Sequence, residues 1–256
     1  MAKSKNEIKF LYDQTMLSQP PIIAEAIRRV IERPGVPPHQ IKSKFSHYVQ
    51  EIEQTAYQVF LEAQQLAAKR AIKKYFEEKT KNYKTNKEII QLVTDSFTLL
   101  DRFFLSLSQS RKARAGSTFE AIIKHLFRKL NYPFDEQQII NGQPDFLLPS
   151  REHYDKNPMD CIIFTAKRTI RERWRQIVTE GTRGLGFFLA TIDKSISDKQ
   201  LKEMKAHRIY LVVPKNIITS GKYQSAENVL DFETFFLDHL DPAMKRWKRN
   251  VKKIRN

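Results

Sequence analysis

The sequence predicts an α/β protein in which an N-terminal all-helical region precedes a mixed central β-sheet flanked by helices. Two observations lead to this fold class. Apolar residues recur at steps of three and four through the first hundred or so residues, as on one face of a helix. From Gly116 onward, short β-like runs alternate with helical stretches, which is typical of a mixed sheet covered by helices on both faces.

The helical region is expected to span residues 1–108. A short amphipathic stretch over residues 22–31 is followed by the Pro and Gly residues of 34–38, which end helices. A long apolar face then runs from Ile41 to Leu66, and a second apolar helix is expected over residues 89–107. A helix as long as the first often packs against another chain, so we expect this region to carry dimerisation and DNA contacts.

The second region, residues 109–256, is expected to hold the sheet. It begins with a helix over 118–130 and ends in a basic C-terminal tail from Ala243. Between them the pattern predicts strands at 138–140, 145–148, 161–165, 187–192 and 208–213, with helices at 170–179 and 198–206.

Composition narrows the classes of function. The chain has 256 residues and a net charge of +16, from 45 Lys+Arg against 29 Asp+Glu, which favours a polyanionic partner, nucleic acid before anionic membrane. The single cysteine, Cys161, excludes an internal disulfide and a cysteine-based zinc site. With neither a signal-like N-terminus nor an apolar run of membrane-spanning length, we expect a soluble, cytoplasmic protein. A Walker-type lysine motif is also missing from the sequence, so no nucleotide cofactor is expected.

Three residues indicate phosphodiester chemistry. Asp145 follows a Gly-Gln-Pro turn at the start of an apolar strand, Lys167 ends the next strand, and Glu180 lies on the helix after it. Adjacent strands would place Asp145 and Lys167 side by side at one sheet edge. Carboxylates are suited to Mg²⁺, which polarises a phosphate and lowers the pKa of an attacking water. A nearby lysine can orient that water and offset charge in the transition state.

The spacing departs from the common nuclease pattern, in which (Asp/Glu)-X-Lys ends the second strand. Thr165 stands two positions before Lys167, so one carboxylate is missing there. Glu180, thirteen positions after Lys167, is the expected replacement. Taken singly, an acid after a turn is usually a solvent-exposed capping residue. A lysine at a strand end usually keeps an exposed strand from pairing with another chain. The nuclease interpretation depends on both residues together with the fold order and the basic charge.

A second cluster suits the reading of DNA bases. Arg171, Glu172 and Arg173 fall in the first turn of the helix after Lys167. Arginine can bind guanine O6 and N7 through two hydrogen bonds, and glutamate can accept one from cytosine N4. A structural alternative is that Glu172 forms a capping box with Thr169.

Three segments of the chain resemble segments of type II restriction endonucleases of the EcoRII type: residues 114–120, 144–150 and 166–176. These belong to a larger group within the PD-(D/E)XK superfamily, together with PspGI and NgoMIV, that cuts sites sharing CC and GG halves. The relocated acid is a mark of this group. The resemblance therefore implies a restriction-endonuclease-like core over the second region.

By this resemblance, the catalytic and Mg²⁺-binding set is Asp145, Lys167 and Glu180. Glu120 would join a second metal site, and Tyr154 would be an active-site tyrosine. The base-reading residues would be Arg171, Glu172 and Arg173, with Gln109 reaching the minor groove. The direct succession Arg-Glu-Arg suits an interrupted CCNGG or CCWGG site better than CCGG.

The expected partner is double-stranded DNA, bound by a homodimer or by a tetramer that joins two sites, because a two-fold site calls for a two-fold protein. By the resemblance, the subgroup with an interrupted site is expected to flip the central base out of the duplex. Phe45, Tyr48, Tyr57 and Phe60 are candidates to stack on it, although helix packing is the commoner role for each. Two alternatives stay open: a structure-specific or repair nuclease, and a non-catalytic DNA-binding protein. The first needs no base-reading cluster, and the second leaves Asp145, Lys167 and Glu180 without a role.

Overall fold

A computed structural model describes residues 6–140, 143–170, 186–219 and 221–254 of the chain. Contacts between Cα atoms divide it into two units. One comprises Met1–Arg29 and Gln54–Ala115, and the other comprises Val30–Glu53 and Gly116–Asn256. The expected functional division at residue 108 stays a prediction.

The first unit is helical. Its elements are α1 (Glu7–Thr15), α2 (Gln19–Ile27), the greater part of α4 (Phe45–Lys79), α5 (Asn86–Asp95) and the first half of α6 (Phe97–Lys129). Its core joins α1, α4 and α6, where the Tyr12 and Phe103 rings meet edge to face at 5.7 Å. Small residues of α4, among them Ala67 and Ala71, are buried in this core. Their short side chains let the helices approach closely.

The second unit contains a six-stranded sheet in the order β1 to β6. The strands are β1 (Asp135–Glu136), β2 (Phe146–Leu148), β3 (Ile162–Ala166), β4 (Gly186–Ala190), β5 (Ile209–Val213) and β6 (Val229–Asp231). Its further helices are α3 (Pro38–Ser43), α7 (Arg151–Lys156), α8 (Asp198–Ala206), α9 (Lys215–Ile218), α10 (Phe232–Phe235) and α11 (Asp241–Ile254). The mixed sheet and the N-terminal helices confirm the predicted fold class.

The direction of the strands decides which ends meet. β1, β2 and β3 pair antiparallel, whereas β3, β4, β5 and β6 pair parallel. The start of β2 therefore lies at the same edge of the sheet as the ends of β3 and β4. Asp145, Lys167 and Thr191 all adjoin this edge.

The two faces of the sheet differ in chemistry. One face carries aliphatic side chains such as Ile163 and Leu189, which pack with Leu201 and Met204 of α8. The other face is aromatic: the Phe127 ring of α6 lies 5.3 Å from the Phe164 ring of β3. The second half of α6 is thereby held against the sheet.

The structure corrects several boundaries. The helices expected at 89–107 and 118–130 are largely one helix, α6, which runs through Gly116 because a glycine inside a helix costs only about 1 kcal/mol. Residues 138–140 form no strand, and Ile139 is exposed. Strands β1 and β6 were not predicted, because they are two and three residues long and, unlike the fully buried β2, are not continuous apolar runs. The basic tail forms the helix α11 as far as Ile254.

The long apolar face from Ile41 is also interrupted, because α3 ends at Ser43 and α4 begins at Phe45. Its residues from Ile41 to Val59 are buried within the chain itself. An exposed apolar face lies instead on α5 and α6; its residues are Ile90, Val93, Phe97, Phe104 and Leu105. No described helix is both long and apolar enough to cross a bilayer.

Candidate active site

Asp145 and Lys167 meet at the sheet edge as the sequence predicted. The Lys167 Nζ donates to both Asp145 carboxylate oxygens, at 3.0 Å each, and the Ala166 backbone N–H donates to Asp145 Oδ2 at 2.8 Å. The Asp145 side chain is buried, whereas about a third of the Lys167 side chain is exposed. The lysine can therefore reach both the carboxylate and a ligand arriving from solvent.

Thr165 lies beside this pair. Continuing the register of Phe146 with Phe164 by one position sets Asp145 opposite Thr165. The Thr165 side chain is 1% exposed, and its Oγ1 has no hydrogen-bond partner within the described structure. A buried hydroxyl of this kind is costly unless it is satisfied. It is a polar atom available at the position where the usual nuclease pattern has an acid.

Glu120 of α6 is the second carboxylate near the edge. Burial raises its pKa above the ordinary value, and the charge of Asp145 raises it further, while Lys167 and Lys124 act in the opposite direction. Burial is the larger cause, and the repulsion between the Glu120 and Asp145 carboxylates adds to it. A divalent cation would relieve this repulsion.

Asp145 and Glu120 are thus the described residues that could hold a metal ion. The described ranges contain no cluster of three or more acidic, His or Cys side chains suited to a metal. A third carboxylate would have to come from elsewhere, and Glu180, which the sequence predicts for this role, lies outside the described residues. The chemistry of the donors, which are hard oxygen atoms, fits Mg²⁺.

The other predicted site residues are distributed as follows. Tyr154 of α7 is half-buried and packs against the aliphatic core of the sheet. Gln109 is exposed on α6, in the first unit. The base-reading candidates Arg171, Glu172 and Arg173 lie outside the described residues. Among the stacking candidates, Phe45, Tyr48 and Phe60 are buried, while Tyr57 is exposed.

Sequence reasoning missed the contacts that hold the chain after Lys167. Arg168 pairs with Glu53 of α4 at 2.5 Å, and the Thr191 hydroxyl donates to the Arg168 carbonyl at 3.1 Å. Asp193 accepts from the Ile170 N–H at 2.9 Å. Local sequence patterns do not predict contacts between residues so far apart along the chain.

We expect Glu120→Gln to stabilise the metal-free protein at neutral pH. Folding raises the pKa of Glu120, which means that the ionised carboxylate lowers the stability of the folded state. This loss of stability is absent below the ordinary pKa of 4.5 and is complete once the pH has risen through the folded pKa. Thermal unfolding in chelator should give a higher midpoint for the variant at pH 7.5, and the difference should vanish on acidification. The exposed Glu152, whose pKa is lowered by Lys156, is the control: Glu152→Gln should not raise the midpoint. A lower midpoint for Glu120→Gln at pH 7.5 would contradict the described carboxylate pair.

Comparison with known proteins identifies relatives of this chain. Two curated proteins each show 31% identity: the type II restriction enzyme EcoRII of Escherichia coli, over 138 residues, and the type II restriction enzyme SsoII of Shigella sonnei, over 156 residues. The matches cover 50% and 55% of this chain, but 34% and 48% of the relatives. The matched part of the chain thus spans about a third to a half of the length of these proteins.

Solved structures share the fold. Metal-depleted Ecl18kI in complex with uncleaved DNA has a TM-score of 0.72 at 22% identity, covering 96% of this chain and 84% of that one. The PspGI–substrate DNA complex has a TM-score of 0.58 at 18% identity, covering 92% and 96%. The family described as EcoRII C terminal matches residues 63–236, more than half of the chain. The chain therefore belongs to the EcoRII C-terminal family of type II restriction endonucleases, which confirms the resemblance found in its sequence.

Proposed function

We propose that this protein is a Mg²⁺-dependent type II restriction endonuclease. It cuts double-stranded DNA at a palindromic site with CC and GG halves, with an interrupted CCNGG or CCWGG site favoured over one containing CCGG. The observation that carries the proposal is the Asp145–Lys167 pair at the sheet edge, with Glu120 beside it, in a member of the EcoRII C-terminal family.

The proposed metal ligands are Asp145, Glu180 and Glu120. Bound Mg²⁺ would supply Lewis-acid stabilisation of the charge that develops on the scissile phosphate. Lys167 is exposed enough to donate a hydrogen bond to a phosphate oxygen or to the attacking water. The Ala166 N–H holds the Asp145 carboxylate in place independently of the lysine. Tyr154 is proposed to act in the active site by family resemblance alone.

The proposed base-reading residues are Arg171, Glu172 and Arg173. They follow Lys167 by four to six positions, which couples reading to cutting through a short piece of chain. Gln109 is proposed to reach the minor groove. These roles are supported by the residue types and by the family match over residues 63–236.

The central test replaces the two residues at the sheet edge. Asp145→Asn and Lys167→Met should each lower the cleavage rate at least about a thousandfold, since metal and general electrostatic stabilisation supply several kcal/mol. Both should bind the cognate DNA within about tenfold of the wild type when assayed by gel shift without Mg²⁺, because neither group reads a base. The substrate is a DNA of known sequence whose fragment ends are read.

Lys156→Met is the matched control, because Lys156 also pairs with a carboxylate, that of Glu152, but both of these side chains are exposed to solvent. It should cut normally. Near-normal cutting by Asp145→Asn or Lys167→Met would refute the assignment of the site. Specific binding without cleavage by the wild-type chain would favour a non-catalytic DNA-binding protein.

A second test addresses the acid missing from β3. Glu180→Ala should lose Mg²⁺-supported cleavage if Glu180 supplies that carboxylate. Thr165 is two positions before Lys167 and opposite Asp145. Thr165→Glu in the Glu180→Ala background should therefore raise the cleavage rate at least about tenfold, which corresponds to an activation free energy lower by about 1.4 kcal/mol. Thr165→Gln, which adds the same volume without the charge, should restore nothing. Normal cutting by Glu180→Ala would make Glu120 the better candidate.

The active form is proposed to be a homodimer, since each half of a palindrome needs one active site. The exposed apolar face of α5 and α6 supports a second copy as its occupant, because Phe97 is 72% exposed and Ile90 is 66% exposed. Phe97→Glu should convert dimers to monomers in sedimentation at micromolar concentration, whereas Leu237→Glu, at a similarly exposed leucine of the second unit, should not. A wild-type monomer both with and without DNA would contradict the dimer, and a larger species on DNA would indicate the tetramer.

A further inference from the structure

We infer that Thr191 and Asp193 are positioning residues for sequence discrimination, because they fix the three residues that join Lys167 to the proposed base-reading cluster. These three residues, 168–170, are named the connecting segment. The inference rests on the proposed function and adds two residues to it. Neither residue was assigned a role on the basis of sequence.

The connecting segment is bound along its length to the end of β4. The Lys167 N–H donates to the Ala190 carbonyl at 2.9 Å, which extends the parallel pairing of β3 with β4. The Thr191 Oγ1 donates to the Arg168 carbonyl at 3.1 Å. The Ile170 N–H then donates to Asp193 Oδ2 at 2.9 Å. Beyond the last backbone hydrogen bond between β3 and β4, the side chains of Thr191 and Asp193 thus hold the connecting segment.

Thr191 and Asp193 also hold each other. The Asp193 N–H donates to Thr191 Oγ1 at 3.1 Å, so one hydroxyl serves as acceptor for Asp193 and as donor to the connecting segment. The other carboxylate oxygen, Asp193 Oδ1, accepts from the Ser195 N–H at 2.9 Å. The Tyr223 hydroxyl donates to the Asp193 carbonyl at 3.1 Å. The carboxylate that receives the Ile170 N–H is therefore held from several directions.

The residues that make these contacts are buried, so the loss of one contact is not compensated by water. Thr191 is 0% exposed, Ile170 is 1% exposed and Asp193 is 8% exposed. Water cannot readily replace an acceptor removed from such a place, so losing the Asp193 carboxylate leaves the Ile170 N–H unsatisfied. The connecting segment would then shift to find another partner.

A shift at Ile170 is transmitted covalently, because Arg171 is the next residue. Two-point hydrogen bonding of an arginine to a guanine demands a defined backbone position, and each such pair discriminates by about 1–3 kcal/mol. Lys167 is less affected, since its backbone is held by Ala190 and its side chain by Asp145. The variants should therefore lose discrimination before they lose the capacity to cut.

The experiment compares cleavage of the cognate site with cleavage of sites that carry one changed base. Asp193→Ala should lower the ratio of the two kcat/KM values at least about tenfold, and Thr191→Val should lower it in the same direction by a smaller factor. Asp193→Asn, which keeps one oxygen acceptor, should recover part of the ratio. Glu172→Gln is the reference for a direct loss of reading. All variants are assayed below their unfolding midpoints.

Asp231→Ala is the matched control. Asp231 ends β6 of the same sheet, and its side chain accepts from the Thr234 backbone N–H at 2.6 Å, but it adjoins α10 instead of the connecting segment. It should lower stability and leave the ratio unchanged. If Asp193→Ala folds poorly, Thr191→Val, which replaces only the hydroxyl with a methyl group, still decides the question.

The inference fails if Asp193→Ala and Thr191→Val slow cleavage of all sites by the same factor, or if Asp231→Ala lowers the ratio equally. An unchanged ratio in Glu172→Gln would refute the base-reading assignment and with it the inference. A wild-type chain that cuts nothing, or cuts every sequence alike, would refute the proposed function itself. A lowered ratio confined to Glu172, Thr191 and Asp193 variants supports the inference.

Discussion

The position of β3 between an antiparallel and a parallel neighbour is the constraint on which the site depends. β2 pairs with it in the opposite direction and β4 in the same direction. Only this arrangement brings the residue before β2, the residue after β3 and the residues after β4 to a common edge. Asp145, Lys167 and Thr191 are the three residues concerned. Reversal of the β2–β3 pairing would separate the Asp145 carboxylate from Lys167 by the length of a strand, and reversal of the β3–β4 pairing would separate Thr191 from Lys167.

Glu120 adds a second carboxylate to the Asp145–Lys167 pair at this edge. Lys167 binds the Asp145 carboxylate through two hydrogen bonds, yet the pKa of Glu120 stays raised by burial and by Asp145. A buried hydroxyl at Thr165 lacks a partner in the described structure. A carboxylate with a raised pKa and a buried hydroxyl without a partner are both more frequent at functional sites than elsewhere in a protein.

The aromatic face of the sheet links this edge to the rest of the second unit. α6 presents Glu120 near the edge and, two turns later, places Phe127 among the rings of β2 and β3. The rings of Phe235 and Phe236 close the same layer, with centroids 5.3 Å from Phe164 and 6.2 Å from Phe127 respectively. The aromatic core therefore fixes the helix that carries the second carboxylate. The packing of the aromatic core thus also sets the position of Glu120 at the site.

The sequence by itself determined the fold class, the adjacency of Asp145 and Lys167, and the family. These follow from local patterns: apolar periodicity, a turn before a strand, and a lysine at a strand end. It also located helix α8 at residues 198–206, because capping residues and apolar spacing agree there. Only the tertiary structure decided that the face from Ile41 to Val59 is used within the chain, and that Thr191 and Asp193 hold the connecting segment. Each of these depends on contacts between residues more than twenty positions apart, which side-chain packing creates and local pattern does not encode.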